Sequence, residues 1–150
     1  MAIKITFLGA GSSVFVRNVL GDCIIHPELE DLTFALYDID AQRLEDSDLM
    51  LHAICAHYGK SVKMEKYVGV EELPQALTGA NFLICAIQVG GYDPCTISDF
   101  EIPKKYGLRQ TIADTLGVGG VFRALRTIPV MEMFGKMAEK YCPNTVFLNY

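Results

Sequence analysis

Short apolar runs alternate with longer helical patterns along the whole chain. This alternation is typical of βαβ units, in which helices cover both faces of a parallel sheet. Right-handed crossovers favour the strand order 3-2-1-4-5 and predict an α/β, Rossmann-like doubly wound fold. The predicted strands are 3–8, 33–38, 62–67, 81–87 and 145–149, and the predicted helices are 12–25, 41–58, 70–77, 98–106 and 120–141.

Local signals support several of the helix ends. Asp40 precedes the second predicted helix as an N-cap, and Gly59 lies just beyond its end. Pro143 and Asn144 stop the last helix before the fifth strand. No repeat or interdomain linker interrupts the pattern, so residues 1–150 are expected to form a single domain.

Composition narrows the functional classes. Of the 150 residues, 51% are hydrophobic and 21% are charged, which predicts a folded core and excludes disorder. The net charge is −5 and the Lys and Arg residues are scattered, so nucleic acid is excluded as a partner. No segment has the length of a membrane span, and we expect a soluble cytoplasmic protein without a membrane partner. Five widely spaced cysteines contain no CxxC pair, which argues against a disulfide framework or zinc ribbon.

The sharpest motif is Gly9-Ala10-Gly11-Ser12, directly after the first strand and at the start of the first helix. Gly9 permits a tight turn, and Gly11 lets the backbone approach a phosphate. Free amides and the dipole of the helix then favour an anion. Val14 occupies the place of the third glycine of the dinucleotide fingerprint. We therefore predict a pyrophosphate site and a βαβ nucleotide-binding unit.

Asp38 ends the second strand, near the spacing at which a carboxylate accepts hydrogen bonds from the adenosine ribose. Because a carboxylate there repels a 2′-phosphate, the sequence predicts NAD over NADP. Asp40 is interpreted as a helix cap and not as a ligand. His52 and His57 lie five residues apart and do not share a helix face; Asp48 and His52 do share one, but two ligands make a poor metal site.

The connection from Gln88 to Gly120 follows the carboxyl end of the fourth strand, where ligands bind in such sheets. It is long and polar, which is typical of a functional segment. Asp114 stands out within its glycine-rich stretch, and a polar substrate is expected nearby. The titratable residues expected close to a nicotinamide are Asp93, Asp99, Glu101, Lys104, Lys105, Arg109 and Asp114.

Three stretches together carry a resemblance to a known family. They are Ile5-Thr6-Phe7-Leu8-Gly9-Ala10-Gly11-Ser12-Ser13-Val14-Phe15, then Leu36-Tyr37-Asp38-Ile39-Asp40 with Arg43-Leu44-Glu45, and Gln88-Val89-Gly90-Gly91-Tyr92-Asp93-Pro94-Cys95-Thr96 through Asp114-Thr115-Leu116-Gly117. Over essentially its whole length, the chain resembles glycoside hydrolase family 4, within it the α-galactosidase branch.

The resemblance implies a glycosidase that uses a redox detour. Transient oxidation at C3 of the galactosyl unit by NAD⁺ permits elimination, after which water adds and the hydride returns. A divalent metal, usually Mn²⁺, stabilises the charge that develops at C2 and C3. Cofactor binding would fall to Gly9, Gly11, Ser12, Ser13, Val14, Phe15, Asp38 and Gln88, and substrate binding to Asp114 and Asn149.

Further expectations follow from the same resemblance. Phospho-sugar branches carry arginines near the positions of Gln88 and Cys95, so two uncharged residues there imply an unphosphorylated α-galactoside. Members of the family are longer and form homo-oligomers. Their metal-binding Cys and His and their catalytic acid and base would follow Tyr150, so no catalytic residue and no metal ligand is assigned within this chain. The fragment alone is expected to be inactive.

Two alternatives stay open at this point. An NAD-dependent 2-hydroxy-acid dehydrogenase shares the predicted sheet, and a non-catalytic NAD-binding module would show cofactor binding without activity. Fold alone does not choose between them.

Overall fold

The structure is a computed structural model that describes residues 2–112 and 116–150. Five parallel strands form one sheet in the order β3-β2-β1-β4-β5, which confirms the predicted fold class and strand order. The strands are β1 (Ile3–Leu8), β2 (Leu32–Asp38), β3 (Lys63–Val68), β4 (Phe82–Cys85) and β5 (Val146–Asn149). The helices are α1 (Ser13–Ile25), α2 (Ala41–Tyr58), α3 (Gly69–Leu77), α4 (Ile97–Lys105) and α5 (Gly117–Tyr141).

Most predicted boundaries agree with these within a few residues, and those of β1 and α2 agree fully. The fourth strand is shorter than predicted because its ladder with β1 ends at Cys85. The segment Gly91–Thr96, which directly precedes α4, was not predicted. It is kinked at Asp93, whose backbone angles are extended, so it is not a regular helix.

Contacts divide the chain into two compact units. The sheet unit comprises Met1–Ile87 and Met137–Tyr150, and the helical unit comprises Gln88–Lys136. The two units differ in the kind of side chain that they bury.

The sheet unit is built around apolar side chains on the inner strands. Its largest fully buried side chains include Phe7, Phe34 and Leu36, with Leu20 and Leu51 from the covering helices. Thr6 is the exception to an apolar β1, and its buried hydroxyl donates to the carbonyl of Ala76 at 2.8 Å. A polar group buried in a sheet that is covered on both faces needs a hydrogen-bond partner of this kind.

Strand β3 lies at one end of the sheet and carries charges instead. Glu65 accepts from Lys63 at 2.7 Å and lies 3.3 Å from the Lys4 ammonium, and the Tyr67 hydroxyl donates to it at 3.0 Å. These contacts lower the Glu65 pKa from its ordinary 4.5 to about 2, mainly through the hydrogen bond from Lys63. Charged side chains on a terminal strand also oppose pairing with other chains.

The helical unit has a different interior. Among its described residues the buried side chains are Asp99, Pro103 and Phe134. Asp99 is only 2% exposed and forms a two-pronged ion pair with Arg126, whose Nη atoms lie 2.8 and 2.6 Å from the two carboxylate oxygens. Asp99 lies on α4 and Arg126 on α5, so the pair joins the two helices.

The outer face of the first half of α5 is apolar. Val118, Val121, Leu125 and Ile128 recur at intervals of three and four residues and are all exposed. Such spacing places side chains on one stripe of a helix. In the described part of the chain, no helix is both long and apolar enough to cross a membrane.

Candidate functional site

The turn after β1 is held by the backbone of β2. The amides of Gly9 and Ala10 both donate to the carbonyl of Tyr37, each at 2.9 Å. Gly9 has a φ of +90°, and a Cβ there would lie 2.7 Å from the carbonyl oxygen of Ala86. Glycine is therefore required at position 9 for two reasons: its positive φ, and the close approach of the Ala86 carbonyl just after β4.

Gly11 is required for another reason than the one the sequence suggests. A Cβ on Gly11 would lie 2.8 Å from Asp38 Oδ2 and 2.9 Å from Arg43 Cβ. The amide of Gly11 donates to the same Asp38 oxygen at 2.6 Å. The absence of a side chain thus lets the turn approach the end of β2, independently of any phosphate.

The start of α1 presents unbonded amides. The first helical hydrogen bond runs from the Val16 amide to the Ser12 carbonyl at 3.0 Å. The backbone N–H groups of Ser13, Val14 and Phe15 have no acceptor among the residues that the structure describes. Ser12 makes no side-chain cap, and no acidic residue lies in the first turn. Free donors at the positive end of a helix dipole make a suitable place for an anion.

Both carboxylate oxygens of Asp38 accept hydrogen bonds from nearby backbone amides. Its Oδ2 accepts from Gly11 and its Oδ1 accepts from the amide of Asp40 at 3.0 Å. Each carboxylate oxygen has a second lone pair, so further acceptance is chemically available. Asp40 caps α2 as predicted, accepting from the amides of Gln42 and Arg43 at 3.0 and 3.1 Å. Gly59, in the left-handed region at φ +61°, ends α2 as predicted.

Asn149 lies at the carboxyl end of β5, in register with Cys85 of β4. Its side chain is exposed, and the following Tyr150 donates its amide to the carbonyl of Cys85 at 2.9 Å. The Tyr150 ring contacts the Phe15 ring edge-on, with centroids 4.7 Å apart. Within the sheet unit, this contact joins the end of β5 to the first turn of α1.

Gln88 opens the helical unit and is exposed. Its Nε2 donates to the hydroxyl of Thr96 at 2.9 Å, and that hydroxyl donates to the carbonyl of Gly91 at 3.4 Å. Asp114, the predicted substrate residue, lies outside the described residues. Gln110 caps the start of α5 by accepting from the Gly119 amide at 3.0 Å.

The titratable residues expected along this connection differ in environment. Glu101 and Lys104 form an exposed pair at 3.3 Å, whereas Asp99 is buried beneath Arg126. Asp99 is therefore an interior carboxylate neutralised by a guanidinium, which its spacing in the sequence did not indicate. Sequence reasoning also did not identify Arg126, because its partner lies 27 residues away.

No disulfide joins any of the five cysteines. Burial raises the pKa of the thiols of Cys23, Cys55, Cys85 and Cys142, which makes them poor nucleophiles. Cys55 and Cys85 are buried and Cys23 is partly buried, which is typical of cysteines that pack as small apolar side chains.

Asp48 on α2 lies 3.0 Å from the Lys66 ammonium and 3.3 Å from the His52 ring. Its carboxylate therefore forms ion pairs with neighbouring side chains. Within residues 2–112 and 116–150, no group of three His, Cys, Asp or Glu side chains could hold a metal ion.

A glycine turn after β1, unbonded amides on α1 and a carboxylate at the end of β2 define a chain of the dinucleotide-binding α/β class. Comparison with known families is more specific. The profile described as "Family 4 glycosyl hydrolase" matches residues 4–150. The chain belongs to this family, as its sequence motifs predicted.

Two curated relatives refine the comparison. The chain is 55% identical over 147 residues to an α-galactosidase of Bacillus subtilis (strain 168), covering 98% of this chain and 33% of the relative. It is 34% identical over 149 residues to an α-galacturonidase of Thermoanaerobacter italicus, covering 99% of this chain and 31% of the relative. The chain thus spans about a third of the length of these relatives.

Solved structures share the fold. A 6-phospho-α-glucosidase from gut microorganisms, solved with NAD and glucose-6-phosphate, matches with a TM-score of 0.86 at 24% identity, over 100% of this chain and 33% of that one. A 6-phospho-β-glucosidase from Thermotoga maritima, also solved with NAD and glucose-6-phosphate, matches with a TM-score of 0.81 at 25% identity, over 100% of this chain and 34% of that one.

Proposed function

We propose that this chain is the NAD-binding portion of an NAD- and divalent-metal-dependent α-galactosidase. The observation that carries the proposal is 55% identity to an α-galactosidase over 98% of the chain. Membership of the glycosidase family favours this reading over the 2-hydroxy-acid dehydrogenase and the non-catalytic module. The two solved relatives contain NAD, and a further 6-phospho-α-glucosidase was solved with NAD and Mn²⁺.

The chain's own residues fit a dinucleotide. The unbonded amides at the start of α1 would receive the pyrophosphate, and the remaining lone pairs of Asp38 would accept from the adenosine ribose. Gln88 is proposed to contact the nicotinamide, and Asp114 and Asn149 the sugar hydroxyls. The proposed pyrophosphate residues are Gly9, Gly11, Ser12, Ser13, Val14 and Phe15.

When bound, NAD⁺ supplies a reversible hydride acceptor for the C3 oxidation that opens the glycosidic elimination. The residues of this chain bind and orient that group. We assign no acid, base or metal ligand to them. We propose that the Mn²⁺ or other divalent ion is held by residues outside these 150, in the additional length that the relatives have.

The proposed substrate is an unphosphorylated α-galactoside. Gln88 and Cys95 carry no positive charge, whereas a phosphate is most often met by Arg or Lys. The test uses a chimera in which residues 1–150 replace the matching third of the Bacillus subtilis relative. We expect hydrolysis of melibiose and little of melibiose 6-phosphate or an α-galacturonide. Preference for the phosphate or the uronide contradicts the substrate assignment.

Cofactor choice is tested by calorimetric titration of the 150-residue chain. We expect NAD⁺ to bind more tightly than NADP⁺, because the Asp38 carboxylate repels a 2′-phosphate. Tighter binding of NADP⁺ refutes the assignment of Asp38.

A charge at the start of α1 provides a matched test of the pyrophosphate site. Ser13→Asp places an anion where the phosphates would bind, yet suits the first turn of a helix. We expect at least a tenfold loss of NAD⁺ affinity with unchanged thermal stability. Val70→Asp adds the same charge to the first turn of α3 and should leave NAD⁺ binding intact. Equal losses in both variants contradict the assignment.

We propose a cytoplasmic location, which suits an enzyme that uses NAD⁺ and whose five cysteines form no disulfide. We also propose a homo-oligomer, which light scattering of the chimera would test.

A further inference from the structure

The side-chain amide of Gln88 is oriented by a neighbour eight residues away. Its Nε2 lies 2.9 Å from Thr96 Oγ1. An amide has a donor end and an acceptor end of the same shape, so its orientation must be argued from its partners.

Thr96 settles which end of Gln88 faces it. The threonine hydroxyl has one hydrogen, and its oxygen lies 3.4 Å from the carbonyl oxygen of Gly91. A carbonyl only accepts, so the hydroxyl hydrogen is directed to Gly91. The lone pairs of Thr96 Oγ1 then face Gln88, in agreement with the hydrogen bond from Gln88 Nε2.

Gln88 Oε1 is consequently left with no protein partner in the described part of the chain, on an exposed residue. We propose that Thr96 is a positioning residue that presents Gln88 Oε1 as an acceptor to an N–H or O–H group of the bound ligand. This proposal rests on the proposed function. The donor belongs either to the carboxamide of nicotinamide or to a hydroxyl of the sugar.

The turn between the two residues is fixed by packing. Gly90 has a φ of +87°, and a Cβ there would overlap Cys95 Sγ and lie 2.8 Å from Cys95 Cβ. Thr96 directly precedes α4, and Asp99, within the first turn of that helix, is held by Arg126. Thr96 therefore lies at the start of a helix that the Asp99–Arg126 ion pair holds against α5.

The experiment compares Thr96→Val with Thr96→Ser in the 150-residue chain, with NAD⁺ and ADP-ribose as probes. Valine keeps the shape but leaves the amide free to turn, whereas serine keeps the hydroxyl. If the donor is the carboxamide, Thr96→Val weakens NAD⁺ binding by roughly three- to tenfold, the loss of one hydrogen bond. ADP-ribose, which lacks nicotinamide, then binds all variants equally, and Thr96→Ser binds NAD⁺ normally.

If the donor is a sugar hydroxyl, NAD⁺ affinity is unchanged and the KM of the chimera for melibiose rises by a similar factor in Thr96→Val alone. Gln88→Met removes the acceptor itself and should produce the same loss as Thr96→Val. The double variant should lose no more than either single variant, because both changes remove one interaction. Additive losses contradict the proposal.

The outcomes separate the two levels of inference. Absence of both NAD⁺ and ADP-ribose binding by the unsubstituted chain overturns the cofactor function. Normal ADP-ribose binding, with unchanged NAD⁺ affinity and unchanged KM in Thr96→Val, overturns only the positioning role. A parallel fall in ADP-ribose affinity, or no rescue by serine, shows a general structural effect and also overturns it.

Discussion

The two units bury different kinds of side chain. The sheet unit buries Phe7, Phe34, Leu36 and many other apolar side chains, and its ion pairs lie on the terminal strand β3. Among the described residues of the helical unit, the few buried side chains include a carboxylate, Asp99, while apolar side chains of α5 are exposed. The sheet unit is therefore stabilised mainly by non-directional apolar burial, whereas the helical unit depends on keeping one buried charge paired.

The difference affects how each unit tolerates change. Apolar packing depends on volume, and neighbours can adjust in part. A buried carboxylate depends on one partner, since removal of the guanidinium leaves a charge without compensation. The sheet unit should therefore be most sensitive where its backbone is crowded, and the helical unit where its ion pair is broken.

The largest expected effect is at Gly9. Gly9→Ala combines a left-handed backbone with a Cβ 2.7 Å from the Ala86 carbonyl, and we expect a loss of about 4 kcal/mol in the free energy of unfolding. Gly59→Ala is the control, because its φ is +61° but nothing lies within 4 Å, and it should cost about 1 kcal/mol. Urea denaturation measures both. Equal costs would show that crowding at Gly9 is relieved by movement.

Breaking the ion pair should have the next largest effect. Arg126→Met leaves Asp99 buried without its partner, and we expect a loss of about 3 kcal/mol in a urea transition of the helical unit. Lys104→Met removes the cation of an exposed pair on the same unit and should cost under about 0.5 kcal/mol. Replacing both partners, as Asp99→Leu with Arg126→Met, should recover much of the stability. No recovery would contradict the charge argument.

The smallest expected effect is the contribution of Glu65 to the pH dependence of stability. Because the native Glu65 pKa is about 2 instead of 4.5, the folded state binds fewer protons than the unfolded state, and stability is lost as pH falls from about 5 to 2. Partial exposure limits this contribution to about 1 kcal/mol. Glu65→Gln should lower stability at pH 7 and flatten its acid dependence, measured by thermal melts. An unchanged pH profile would exclude Glu65 as a source of acid sensitivity.

The sheet unit was predictable because its signals are local. The apolar run of β1, the cap Asp40 and the turn glycine Gly9 each express their structural role within a few residues. The need for glycine at position 11 was predicted for a different reason. Its actual neighbours, Asp38 and Arg43, are brought close only by the pairing of β1 with β2.

The helical unit was less predictable because its determinants are distant in sequence. The sequence predicted Asp99 only as one of several titratable residues close to a nicotinamide, and nothing near it in the sequence marks Arg126 as its partner. The role of Thr96 likewise depends on the turn that brings it to Gln88. Periodicity identifies elements, whereas these contacts arise from how the elements meet.

The two backbone contacts of Asp38 have a consequence for any attempt to change the proposed preference for NAD. Its two oxygens hold the amides of Gly11 and Asp40, so one side chain supports both the glycine turn and the loop that enters α2. An engineer who replaces it with a small neutral residue to admit a 2′-phosphate also removes both acceptors. A successful exchange would therefore need a second substitution that restores an acceptor to the Gly11 amide, and screening single substitutions at position 38 would miss it.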